Sequence, residues 1–128
     1  SANYTRLATA SYLGGVSINS SYVGLVHPIS AALSGLYGLP HCLSNCIAMH
    51  AVDDFYPVYS QKFSKMTLAT QIRIPYLSEL SDQQPDAEQF MRLALGHQRP
   101  LLNALGTDYE KILNKNRFKE IISKLWSG

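Results

Sequence analysis

The chain has 128 residues, 46% of them hydrophobic and 16% charged, with a formal net charge of +2. The length suits a single domain, and the charged fraction lies well below the ~25% usual for a free-standing one, which implies that part of the surface is covered by something else. The small net charge gives no reason to expect a nucleic-acid partner. Lys111, Lys115, Arg117, Lys119 and Lys124 alternate with apolar residues and read as solvated helix faces. No basic start followed by an apolar run marks a signal peptide, and no stretch reaches the ~20 apolar residues of a membrane helix. The expectation is a cytoplasmic chain with no membrane partner.

The periodicity is helical almost throughout, without sustained period-two alternation, and predicts an all-α bundle of six or seven short helices spanning residues 1–128. Residues 4–22, YTRLATASYLGGVSINSSY, carry small and apolar side chains at helical spacing and predict a helix buried at the centre of the bundle. A second helix is expected from about Gly24 or Leu25, with Pro28 tolerated in its first turn, weakened at Gly35 and Gly38 and stopped by Pro40. The third runs from about His41 to Asp54, and Cys42 and Cys46 on one of its faces read as buried thiols rather than a disulfide. A fourth covers about Val58 to Gln71, with Phe63, Met66 and Thr70 on its apolar stripe.

After the polar loop over residues 75–86, Pro85 suits the first position of a fifth helix carrying Phe90, Leu93 and His97, which Pro100 breaks. Thr107 and Glu110 in TDYE have the spacing of a capping box for a short helix to about Leu113. Asn116 is the expected cap of the last helix, whose Phe118, Ile121, Ile122 and Leu125 should point inward.

The stretch HPISAALSGLYGLPH, residues 27–41, begins and ends with histidine and contains no charge. On one straight helix His27 and His41 would lie about 21 Å apart, too far to share an ion. Gly35, Gly38 and Pro40 break the helix, so the chain can fold back and bring them together. Two readings then stand: two imidazole ligands of one metal ion, or capping and core histidines bonded to backbone. His50 and His97 read as packing residues. In HAVDD, Asp53 and Asp54 at a helix end call for a cation, with Lys62 or Lys65 the nearest in sequence.

The stretch YVGLVHPISAALSGLYGLPHCLSN, residues 22–45, resembles the signature of the iron-containing, metal-dependent alcohol dehydrogenases. Gly24, His27, Leu33, Tyr37, Pro40, His41 and Asn45 match it, Gly35 is displaced by one, and the fourteen-residue histidine interval is kept. The resemblance implies the C-terminal helical domain of a two-domain enzyme whose other domain binds NAD or NADP through a Gly-rich loop. It implies a divalent metal, iron or zinc, with four ligands: an aspartate and a histidine four residues apart on an earlier helix, then two histidines matched by His27 and His41. The first two, and the nucleotide domain, would lie upstream of Ser1.

Two positions depart from the family pattern. Ala31 stands where the family has a further histidine near the nicotinamide, and Cys42 where it has glycine. Both place the chain away from small-alcohol members and towards a larger, sugar-like hydroxyl substrate. The resemblance further implies oxidation of a hydroxyl to a carbonyl by hydride transfer, with Asn45, Ser30 and Ser34 as polar groups beside the metal. The competing reading is a stand-alone helical interaction module derived from that family, without activity. Because residues 4–40 carry almost no charge, a homodimer is expected, with residues 4–22 at or near its interface.

Overall fold

The computed structural model of the chain describes residues 2–21 and 23–127. Tyr22, which belongs to the first expected helix and to the signature stretch, lies outside the described residues. The elements are α1 (Ala2–Ser21), α2 (Val26–Tyr37), α3 (His41–Ala48), α4 (Pro57–Ala69), α5 (Ala87–Leu95), α6 (Gln98–Leu105), α7 (Tyr109–Ile112) and α8 (Lys115–Ser127). Single turns of 3-10 helix occupy Met49–Ala51 and Leu77–Glu79. No strand occurs among the described residues, in agreement with the all-α expectation.

The central helix is α2, not α1. Leu25, just before α2, and its Ile29, Ala32 and Leu33 are fully enclosed, and α2 packs against both α3 and α5. Helix α5 in turn packs against α8. Phe90 of α5 meets Phe118 of α8 edge to face, with ring centres 6.0 Å apart, a geometry worth about 1 kcal/mol beyond burial alone. Ile121, Ile122 and Leu125 join the same core, as the period of the last helix predicts.

Helix α1 corrects the expectation of a buried central helix. Its residues are exposed through Ser20, with Tyr4 at 78% and Leu7 at 69%. Small and apolar side chains at helical spacing show that a face can be buried, but the core closes around α2, α5 and α8 without it. Helix α4 is likewise peripheral: none of its residues is buried, and Met66 on its expected stripe is 54% exposed.

The helix ends depart from expectation by one or two residues. The cap of α5 is Asp86, whose carboxylate accepts from the amides of Glu88 and Gln89, so Pro85 precedes the cap rather than opening the helix. Helix α7 begins after Asp108 with no side-chain cap, and the Thr107–Glu110 box does not form. Asn114, not Asn116, starts α8 by accepting from the Arg117 amide. The third helix tightens to 3-10 geometry after Ala48 instead of running on to Asp54. Both cysteines are free, but Cys42 is exposed and only Cys46 is half-buried. Burial, and then the neighbouring Cys42, push the Cys46 thiol up.

Asp53 and Asp54 find their cations on α8 rather than on Lys62 or Lys65. Lys124 lies 2.6 Å from Asp53 and 3.3 Å from Asp54, and Arg117 pairs with Asp54. The Arg117 guanidinium also sits 4.7 Å above the centre of the Phe55 ring. These contacts fasten the turn after α3 to the last helix.

His50, in the turn Met49–Ala51, stacks on Tyr76 with ring centres 4.8 Å apart. Burial pushes its pKa below 6.5, and a hydrogen bond to the Ile74 backbone opposes this only in part. Below that value the unfolded ring binds a proton that the folded ring resists, so the stability it contributes is present above about pH 6.5 and is lost as pH falls. The melting temperature should therefore drop between about pH 7 and pH 5, and His50→Gln should make that drop shallower. Thermal unfolding followed by circular dichroism across this range checks both; equal slopes in the two proteins would remove His50 as a source.

Candidate functional site

The site is built on the hairpin of α2 and α3. Gly24 and Leu25 lead into α2, where the Leu25 amide donates to the Tyr56 hydroxyl at 3.1 Å and the His27 amide to the Gly24 carbonyl at 3.2 Å. A Cβ on Gly24 would come within 2.8 Å of the Tyr56 oxygen, so glycine is needed for this close approach. His27 stands in the first turn of α2, and its carbonyl accepts from the Ser30 hydroxyl at 3.0 Å.

At the other end Gly38 adopts a left-handed conformation, with φ 64°, and its amide bonds the Ser34 carbonyl at 2.9 Å. That closure suits glycine because a Cβ is disfavoured there. Pro40 then turns extended, and His41 opens α3. The Ser34 hydroxyl donates to that of the fully buried Ser44 at 2.9 Å, tying the two helices together. Ser30 and Ser34 are thus engaged in holding the hairpin. Asn45 lies half-buried one turn after His41.

The fold-back brings the two histidines together. The rings of His27 and His41 have centres 5.7 Å apart and meet edge to face at 74°. A third ring, which sequence reasoning assigned to packing alone, joins them: His97 lies 5.5 Å from His27 at 86°. His97 precedes α6, where the break between α5 and α6 turns the chain, and the packing of α2 on α5 carries it to His27. The break falls at Gly96 and His97, and Pro100, expected to break the helix, stands instead in the first turn of α6, where its missing amide costs no helix bond; nothing local in the sequence says which helix this turn will meet.

Burial, then His97, then His41 push His27 below the usual histidine value, so its ring is held neutral. A cleft of about 470 Å³ opens beside it, lined by His27, His97, Pro100, Val23, Ile18 and Asn19. Ala31, one turn after His27, offers no titratable group, and the exposed Cys42 follows His41 directly.

A family model described as Fe-containing alcohol dehydrogenase family, C-terminal, matches residues 2–112, from α1 through α7. The chain belongs to that family. It is also 37% identical over 50 residues to alcohol dehydrogenase 4 of Schizosaccharomyces pombe, a match over 39% of this chain and 12% of that protein. The family match includes α1, so the exposed helix is part of the family's domain rather than an addition to it.

Membership implies a metal, and the residues can be tested against one. Metal–nitrogen bonds of about 2.0–2.1 Å place the ring centres of two tetrahedral imidazole ligands about 5 Å apart. The 5.7 Å between His27 and His41 fits two such ligands. A neutral ring, as held at His27, is the form that binds metal. Among the described residues, however, no group of three or more His, Cys, Asp or Glu side chains is arranged to hold an ion. The pair fits as part of a ligand set, and the described residues do not complete that set.

Gly24→Ala should displace the Tyr56 hydroxyl and break its bond to the Leu25 amide, costing about 1–2 kcal/mol of stability. In a Tyr56→Phe background that hydroxyl is already gone, and the same substitution should cost close to nothing. Denaturant unfolding of the four proteins in this cycle gives the coupling. Equal costs in both backgrounds would mean that Gly24 is required for some other reason.

Proposed function

We propose that this domain supplies His27 and His41 as two ligands of a divalent metal, iron or zinc, in an NAD- or NADP-dependent enzyme that oxidises a hydroxyl to a carbonyl by hydride transfer. The reading is carried by one observation: two histidines fourteen residues apart in sequence stand 5.7 Å apart in the fold, in a chain of this family. The remaining metal ligands and the nicotinamide come from parts of the enzyme other than the residues described here.

The residues present have separate tasks. His27 offers a neutral nitrogen because burial and two flanking imidazoles disfavour its protonation. His41, at the exposed start of α3, offers the second nitrogen, and its position is set by Gly38, Pro40 and the Ser34–Ser44 bond. Val23, Ile18 and Pro100 give the cleft beside His27 apolar walls. When bound, the metal supplies Lewis acidity that lowers the pKa of a hydroxyl on its substrate. Small Ala31 leaves room beside His27, which supports a bulkier, sugar-like alcohol over the smallest ones.

Calorimetry with zinc tests the ligand pair. The chain should bind with an affinity no tighter than about 1 µM, and His27→Ala or His41→Ala should each abolish the heat. Undiminished binding in both variants would move the metal elsewhere. No binding by the unaltered chain would favour the interaction-module reading.

The exposed apolar side chains of α1, among them Leu7, Tyr12, Leu13 and Val16, support association of two copies through that helix. Sedimentation at micromolar concentration should show a dimer, and Leu7→Glu with Leu13→Glu should return it to monomer. A monomer at every concentration would withdraw the homodimer.

A further inference from the structure

A ligand histidine has two ring nitrogens and gives only one to the metal. In the neutral ring one nitrogen carries the proton and the other the lone pair that binds. The remaining N–H is almost always donated to an acceptor, which decides which nitrogen faces the ion. For His27 that acceptor has to come from the groups around the ring other than His41.

The cleft beside His27 supplies two polar candidates, His97 and Asn19, among the apolar Ile18, Val23 and Pro100. Asn19 belongs to α1, which the core does not enclose. His97 is held on both sides. Its amide bonds the Ala94 carbonyl at 3.2 Å at the end of α5, and its carbonyl accepts from the Leu101 amide at 3.4 Å at the start of α6. Pro100 and Leu101, in the first turn of α6, are buried. Helix α6 is also fastened to the approach to α2, where the Asn103 side-chain amide donates to the Val23 carbonyl at 3.3 Å. These contacts fix the backbone of His97 relative to that of His27.

The ring spacing suits a bond. Each ring nitrogen lies about 1.15 Å from its ring centre, so an N–H···N bond of about 2.9–3.2 Å joins two imidazoles whose centres are roughly 5.2–5.5 Å apart. His27 and His97 stand at 5.5 Å, edge to face at 86°. The outer torsion of a histidine is soft, so a turn of either ring about it aligns the N–H of one with the lone pair of the other.

We propose that His97 is a positioning residue: it accepts the His27 N–H that faces away from the metal and so fixes which nitrogen of His27 the metal meets. This role rests on His27 being a metal ligand, but the bond itself needs no metal and forms in the chain alone.

Two-bond 1H–15N correlation of the histidine side chains, recorded at about pH 8 where imidazole is neutral, reads the tautomer of each ring without metal. His27 should show one tautomer in the unaltered chain and a mixture in His97→Ala. One of His97→Gln and His97→Asn, whose amide oxygens reach the places of the two ring nitrogens, should restore it, and Asn19→Ala should leave it unchanged. With zinc, calorimetry should show His97→Ala weakening the affinity about ten-fold while keeping the heat that His27→Ala abolishes. An unaltered His27 tautomer in His97→Ala, no rescue by either amide, or mixing caused by Asn19→Ala instead would overturn the proposal and leave the ligand pair untouched. Complete loss of the zinc heat in His97→Ala would make His97 a ligand and overturn it too. Zinc binding that survives His27→Ala would withdraw the ligand reading, and with it the role of His97, whatever the tautomer.

Discussion

The reversal of the chain between α2 and α3 is the constraint on which the rest of the site depends. Gly38 supplies a left-handed residue, Pro40 prevents the helix from continuing, and the Ser34–Ser44 bond locks the two helices at the resulting angle. The Ser44 hydroxyl is buried and the Ser34 hydroxyl half-buried, so a slip between the helices would cost the buried Ser44 its partner. Without the reversal, His27 and His41 would stand four helical turns apart. With it, they are neighbours, and α2 is left with its apolar residues facing α3 and α5.

The same geometry sets the electrostatics. His27 is neither deeply buried nor free, and its lowered proton affinity comes first from burial and then from two imidazoles that cannot all carry charge at this spacing. Of those two, His97 has the larger effect, and it arrives from a distant part of the chain. The hairpin thus brings the two signature histidines together, while the α2–α5 packing adds a third group that tunes one of them.

Helix α1 shows the limits of a self-contained fold. The core draws on α2, α3, α5 and α8 together with Val52, Leu77, Leu101, Tyr109 and Leu113, but on no residue of α1, and the turn after α3 is fastened to α8 by Arg117 and Lys124. A helix with exposed Leu7, Tyr12 and Leu13 adds apolar surface that this core does not cover. The family match includes these residues, so the exposed helix belongs to the family's domain.

Much of this was legible in the sequence because it rests on local chemistry. The all-α class follows from helical periodicity, the α2–α3 break from Gly38 and Pro40, and the inward face of α8 from the spacing of Phe118, Ile121, Ile122 and Leu125. The family was legible because the histidine interval and the residues around it form one continuous stretch. The caps were read only approximately. Adjacent candidates such as Asn114 and Asn116, or Thr107 and Asp108, have nearly equal intrinsic preference, and packing decides between them. The exposure of α1, the pairing of Asp53 and Asp54 with α8, the approach of His97 to His27 and the enclosure of His50 against Tyr76 were decided only by the tertiary structure. Each depends on which surfaces meet across tens of residues. Periodicity tells that a face can be buried or a charge paired, but the partner is chosen by how the whole core closes.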